Sequence, residues 1–354
     1  YPSGYSNRQL GWEKNKQIDL GFDIGIFNAL NVVVDFYKRT SDIVMPANIP
    51  NFNGISGSVY MNAGQIENKG IEIQVSATPF KGEFSWETTL SWSKNNNKIL
   101  SLANNQNQLA NAKAGTKWSN VIRNYVGRPM GDMYMLKVIG TFNTEEDLAK
   151  YATNGTQGIG DLIFEDYKKD GTIDVNDYQL VGNYQPDFTF GWNNTFKYKD
   201  LDLAITIDGQ CGGNVIYAAA RAFSLNRYDD NVLAESGLGR WISPTNTGNG
   251  TSHKAGTNNL GSNIGPSTRY LYDADFLRIR NISLGYTLPK KFCKTIGIEG
   301  LRISANVQNL WTFDKYPGYS VEANYEGNSA TNNGVDFGGY PISRTFTFGL
   351  NFNF

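Results

Sequence analysis

The chain of 354 residues holds one histidine, His253, and two cysteines, Cys211 and Cys293. A single histidine removes most imidazole-based acid–base catalysis and every His-rich metal site. Two cysteines permit at most one disulfide and provide no zinc-ligand spacing. Lys and Arg total 32 against 33 Asp and Glu, so no surplus of either sign points to nucleic acid. No run of 18 or more apolar residues occurs, which excludes a transmembrane helix on pattern. No signal peptide opens the chain. "YPSGYSNRQLGWEKN" reads as a loop or a cut end, and the expectation is a piece of a larger protein. His253 reads as a solvated loop residue.

Aromatics and glycine are plentiful, at 13% and 38 residues, and the apolar residues alternate with polar ones. In "RTFTFGLNFNF" the apolar set is Phe346, Phe348, Leu350, Phe352 and Phe354, against Thr347, Gly349, Asn351 and Asn353. "DLGFDIGIF" sets Leu20, Phe22, Ile24 and Ile26 against Asp19, Gly21, Asp23 and Gly25. "LDLAITIDG" sets Leu201, Leu203, Ile205 and Ile207 against Asp202, Ala204, Thr206 and Asp208. Period-two alternation is a strand with one face in an apolar medium and one in a polar medium. The runs reach the roughly 9–11 residues that a tilted membrane strand needs, where strands of soluble domains average about 5–6. Tyr37, Trp86, Trp92, Tyr198, Tyr286, Trp311 and Phe313 fall near strand ends, as an interfacial girdle would. The pattern predicts an all-β fold, a transmembrane antiparallel β-barrel; a soluble all-β domain is the competing reading.

Spanning strands are expected near 16–27, 29–41, 65–78, 83–95, 186–198, 200–211, 275–288, 300–311 and 343–354. Tight connections alternate with long ones, 42–64, 96–185, 212–274 and 312–342. Bacterial barrels place short turns in the periplasm and long loops outside. Any further spanning strands inside 96–185 must come in pairs; "VIRNYVGRPMGDMYMLKVIGTF" holds such a pair or an extracellular ledge. This topology sets Cys211 and Cys293 at opposite rims, too far apart for a disulfide.

"DYKKDGTIDVND" has the layout of an EF-hand-type calcium loop, with Asp166, Asp170, Asp174 and Asp177 as ligands, Thr172 through its carbonyl, and Gly171 at the turn. It departs from that pattern at Lys168, a cation where an oxygen belongs, and in the shorter Asp177 at the last position. The alternative is an acidic turn loop without metal. No other cofactor is indicated. The carboxylate pairs Asp229/Asp230 and Glu145/Glu146 lie in loops, no nucleophile–base set is evident, and an enzyme is not expected. Tyr60, Trp118, Tyr217, Phe223, Tyr228, Trp241, Tyr316, Tyr319 and Tyr325 lie in the long loops, where aromatic faces suit sugar or peptide capture or a protein interface.

Six stretches carry a resemblance: "LGWEKNKQIDLGFDIGIFNALNVVVDFYKRTSDIV", "NAGQIENKGIEIQVSATP", "GDLIFEDYKKDGTIDVNDYQLVGNYQPDFTFGWNNTFKYKDLDL", "DADFLRIRNISLGYTLPKK", "LRISANVQNLWTFDKYPGY" and "YPISRTFTFGLNFNF". In order and over nearly the whole chain, these resemble the SusC/RagA-like TonB-dependent transporters of Bacteroidetes. The resemblance implies the C-terminal part of a twenty-two-stranded barrel in the bacterial outer membrane. A plug domain and a TonB box would lie upstream. It further implies TonB-dependent import of a bulky nutrient, most often an oligosaccharide, with an oligopeptide as the alternative. A SusD-like surface lipoprotein and TonB would be the partners. A structural or adhesive barrel is the rival class. Phe352 and Phe354 look like the aromatic C-terminal signal read by the barrel-assembly machinery.

Overall fold

A computed structural model describes residues 6–27, 29–48, 58–103, 106–109, 112–114, 118–224, 231–256, 263, 265–295, 297–325, 327 and 333–354. Nine strands form one continuous antiparallel sheet. They are β1 (Lys14–Ile26), β2 (Leu30–Asn48), β3 (Ser58–Phe80), β4 (Phe84–Ser101) and β5 (Phe188–Tyr198), followed by β6 (Leu201–Cys211), β7 (Phe276–Thr287), β8 (Gly300–Asp314) and β9 (Thr345–Asn353). Each pairs with its neighbour in this order, so the sheet is a meander. Among the described residues no helix is long and apolar enough to cross a membrane; the long elements are strands.

The registers place the apolar sets on one face. Phe22, Val34, Ile73, Trp92 and Phe190 form one cross-strand row, and Leu203, Leu284, Ala305 and Phe348 form another. Many of these side chains are solvent-accessible in the chain alone, Phe348 to 82%. A contiguous exposed apolar band is the surface of a protein solvated by lipid. The opposite face carries Asp, Asn, Ser, Thr and Arg. Bidentate Arg280–Asp208 (2.8 and 2.7 Å) and Arg302–Asp202 (2.6 and 2.8 Å) bonds cross it.

One break in the alternation has a structural cause. In "FLRIRNISL" the outward residues are Ile279 and Ile282, three apart, because Arg280 is an extra residue in the register with both neighbours. The bulge aims Arg278 and Arg280 together at the polar face.

Strands extend beyond the expected ends. β2 runs to Asn48, β3 starts at Ser58, β4 runs to Ser101 and β8 to Asp314, so three long connections shorten, to 49–57, 102–187 and 315–344, while the fourth spans 212–275. The additions to β2, β3 and β4 pack Met45, Val59, Met61 and Ile99 into a hydrophobic cluster beneath the loop layer, so period-two alternation no longer marks their ends. Tyr37 is not a girdle residue. It pairs across from Asp19 and Gly70 on the polar face, and its hydroxyl donates to Asn95 Oδ1 at 3.0 Å.

The long connections build their own layer at one end of the wall. Within 96–185 the structure resolves the pair-or-ledge question as a ledge. Ala112–Ala114, Trp118–Arg123, Asp132–Met135 and Gln179–Asn183 form a separate four-stranded sheet. Asn214–Tyr217, Leu271–Asp273 and Val335–Asp336 form a three-stranded one. The larger cores lie here: Trp118, Val121, Ile122, Met133, Met135, Ile216 and Tyr270 pack in one cluster. At the opposite end sit the tight turns and the short helix Lys290–Thr295. Cys211 closes β6 at the long-loop end, Cys293 lies in that helix, and both thiols are free.

Candidate functional site

The polar face and the loop layer meet over a cavity of the wall's long-loop end. Its floor is Asn68, Ser93, Asn95, Asn97 and Thr189 of β3, β4 and β5; its roof is Tyr184, Gln185 and Pro186, the segment entering β5. The floor is an amide ladder. Asn95 and Asn97 donate through Nδ2 to Asn68 Oδ1 at 3.1 and 3.0 Å, and Met130 N donates to Asn97 Oδ1 at 2.9 Å. Alternation explains it: in "KNNNK", Asn95 and Asn97 point inward while Asn96 points outward with Lys94 and Lys98.

The roof is fixed by polar contacts. Gln185 Nε2 donates to the Met130 carbonyl at 3.0 Å, and Asn183 Nδ2 donates to Asp132 Oδ1 at 2.8 Å. Asp132, almost fully buried, also accepts from Arg128 Nε. Gly131 has φ +85° and lies against the Tyr184 ring, where any Cβ would clash. Amide groups carry donors and acceptors together, the chemistry that engages hydroxyls and peptide groups without covalent change. These amides were not singled out from sequence, although strand parity marks Asn68, Asn95 and Asn97 as inward.

The loop aromatics divide. Trp118 is buried against Tyr270, with ring centroids 5.0 Å apart. Tyr217 packs edge-on to Tyr272 and Tyr316. Tyr316 is buried and donates its hydroxyl to Asp336 Oδ2 at 2.6 Å. These three are core residues of the loop layer rather than capture surfaces, because contacts from distant loops enclose them. Trp241 is half-buried, its Nε1 donating to Asn143 Oδ1 at 2.8 Å. Tyr60, Phe223, Tyr319 and Tyr325 are exposed. Tyr228 and the Asp229/Asp230 pair lie outside the described residues. Phe352 and Phe354 are exposed on β9 and just past it, with rings stacked at 6.3 Å.

His253 is also corrected. It is 2% exposed, with Nδ1 2.7 Å from Arg269 Nη1, inside the loop layer rather than on its surface.

The carboxylates of the acidic loop accept from the loop's own backbone amides. Asp166 accepts from the backbone amides of Lys169 (2.6 Å), Asp170 (3.3 Å) and Gly171 (2.8 Å). Asp170 accepts from Thr172 N, Asp174 from Asn176 N, and Asp177 from Lys168 N and Asp174 N. The Gly171 amide contributes most to holding the Asp166 carboxyl below the ordinary aspartate range. Among the described residues no group of three acidic, His or Cys side chains converges as a metal site. The aspartate spacing forms Asx turns and a short 3-10 turn at Val175–Asp177.

Comparison with known proteins follows this geometry. The family model of the TonB dependent receptor-like β-barrel matches residues 1–134. TonB-dependent receptor P3 of Formosa agariphila is 32% identical over 361 residues, covering 99% of this chain and 35% of that protein. SusC, a TonB-dependent receptor of Bacteroides thetaiotaomicron, is 26% identical over 359 residues, covering 98% and 32%. A solved structure of the RagAB peptide transporter superposes with a TM-score of 0.76 at 21% identity, covering 98% of this chain and 36% of that one. The chain thus spans about a third of the length of the curated relatives it matches. The family is one of outer-membrane receptors, not of enzymes. With a lipid-type apolar band and a polar inner face, the chain has the fold of part of a TonB-dependent receptor β-barrel wall, and over nearly its whole length it is similar to TonB-dependent receptors, SusC among them.

Proposed function

We propose that the whole protein imports a bulky nutrient, an oligosaccharide, across the outer membrane. The observation that carries this is the amide-lined cavity between the inner face of the wall and a packed loop layer. Such a surface offers many weak, exchangeable hydrogen bonds to hydroxyls, which suits passage better than tight retention. In this reading the long-loop end faces outward and the tight turns face the periplasm, as in bacterial barrels generally. Energy comes from TonB acting on a plug domain carried elsewhere in the protein. A SusD-like surface lipoprotein sits over the long connections, where Tyr60, Phe223, Tyr319 and Tyr325 give it aromatic contacts. The relatives' names support the TonB coupling. The acidic loop Asp166–Asp177 serves to order the rim through its own turns.

The test is uptake by cells carrying the full-length protein, using labelled neutral oligosaccharides and labelled oligopeptides in parallel. Oligosaccharide entry that needs TonB, and that falls several-fold in Asn68→Leu/Asn95→Leu at unchanged surface amount, is the expected result. Entry of peptides alone selects the oligopeptide reading. No TonB-dependent entry of either class leaves a structural barrel.

A further inference from the structure

The outward face changes character abruptly at the long-loop end of β1–β4. Reading along the cross-strand rows, Leu20, Phe36, Ile71 and Lys94 stand side by side. The next row holds Ile18, Lys38, Lys69 and Asn96, and the next Lys16, Thr40, Glu67 and Lys98. Beyond these, Lys14 pairs with Asp42 and Asp42 with Gln65. Six lysines, 14, 16, 38, 69, 94 and 98, therefore border the apolar band on its lipid-facing side, and all six are exposed.

Their arrangement is unfavourable for the protein alone. Lys38 and Lys69 are direct cross-strand partners, a like-charge pair that weakens a ladder. Within these rows, among the described residues, one ion pair forms, Lys38 Nζ to Glu67 Oε2 at 2.9 Å. Asp42 is engaged by Gln65 Nε2 at 2.8 Å. Two carboxylates face six ammonium groups. The four-carbon stems lie next to the band while the heads reach the level where lipid headgroups begin. The polar inner face of the same strands carries Asp19, Asp23, Asp35 and Glu72 with Arg39, so the excess of positive charge lies on the outer face.

We infer that this lysine belt binds the phosphate-bearing headgroup of an anionic lipid in the leaflet at the long-loop end. The inference rests on the band lying in a bilayer and is independent of what the barrel transports. A lipid fits better than a protein partner because the belt is continuous with the apolar band, so one amphiphile meets both surfaces. Several ammonium groups within neighbouring rows match a headgroup with more than one phosphate.

The experiment uses the full-length protein in phosphatidylcholine nanodiscs doped with either diphosphorylated lipid A or its dephosphorylated form. Native mass spectrometry counts the lipid A retained. The expected result is preferential retention of the phosphorylated form, weakening as salt is raised. Lys38→Gln/Lys69→Gln/Lys98→Gln should reduce it by on the order of fivefold or more, since each lysine near a charged membrane surface contributes about that factor. The corresponding arginine variants should retain it, as should Lys290→Gln/Lys291→Gln at the opposite end. If the triple variant does not assemble, the wild-type comparison still decides. Equal retention of the two lipid A forms, no salt dependence, or displacement by inorganic phosphate alone at equal concentration would overturn the assignment.

Discussion

The ring of Tyr37 lies across the bare backbone of Gly70, and its hydroxyl reaches Asn95 on the strand beyond at 3.0 Å. A Cβ on residue 70 would fall 2.6 Å from Tyr37 Oη. Gly70→Val should therefore displace the ring and cut the amide ladder, costing about 1–3 kcal/mol as an overpacked site. Gly25→Ala adds a Cβ that meets nothing within 4 Å and should be neutral apart from strand propensity. Heat-modifiability on SDS gels of the full-length protein measures both: the folded band should convert at lower temperature for Gly70→Val alone.

Two arginine–carboxylate pairs should respond differently to mutation. Arg302 and Asp202 are 41% and 27% exposed, and Asp202→Asn should cost under about 1 kcal/mol, as surface pairs do. Arg278 is 4% exposed, lies over Phe276 at 4.7 Å, and bonds Glu322 from the loop layer. Glu322→Gln weakens the charged partner of a buried guanidinium and should cost about 1.5–3 kcal/mol. Hydrogen exchange should quicken across 315–325 for Glu322→Gln and stay unchanged there for Asp202→Asn.

Alkali should loosen the loop layer before the wall. Burial first, then the charge of Glu235, pushes Tyr272 up from 10.0 to about 12. Burial, and then the bond to Asp336, raises Tyr316 beyond the ordinary tyrosine range. A raised pKa means that the folded state holds its proton while the unfolded state releases it. Stability is full below pH 10.0 and falls as pH climbs through about 12. Exchange protection of Leu271–Asp273 should fall over that window while β1–β9 remain protected; simultaneous loss in both would contradict it.

Acid should act on the turn at Asp166. Its folded pKa is lowered, so its contribution is present above the unfolded value and lost as pH falls through the lowered one. Amide exchange at Lys169, Asp170 and Gly171 should quicken only below the ordinary aspartate range. Chelator should leave it unchanged at neutral pH, because the carboxylate oxygens are already occupied by backbone amides. Chelator-induced loosening would restore the calcium reading.

The wall was legible because each strand carries its own instruction. Parity of Phe346, Phe348 and Leu350 marks a lipid-facing row whatever the neighbouring strand contains, and all nine strands were placed this way. Parity also contained the amide floor, had Asn68, Asn95 and Asn97 been sorted by face. The loop layer has no such period. Trp118 is buried by Tyr270, about 150 residues on, and His253 by Arg269. Nothing local to "TKWSN" or "TSHKA" announces that enclosure. The aspartate spacing of 166–177 reads as a calcium loop or as a set of Asx turns, because the same spacing serves both, and only the direction of each carboxylate separates them.

The meander of the wall has a consequence for the order of assembly. Hairpins such as β1–β2 and β5–β6 close through connections of two or three residues, so they zip quickly from their turns. Joining β4 to β5 instead means closing residues 102–187, an added entropic cost of about 3 kcal/mol relative to a two-residue turn. The packed ledge shortens that loop before closure, because its four short strands and buried methionines draw the chain together outside the wall. The loop layer is then a folding clamp as well as a rim: variants that loosen Met133 or Met135 should slow the joining of the two halves of the sheet while leaving the finished wall intact.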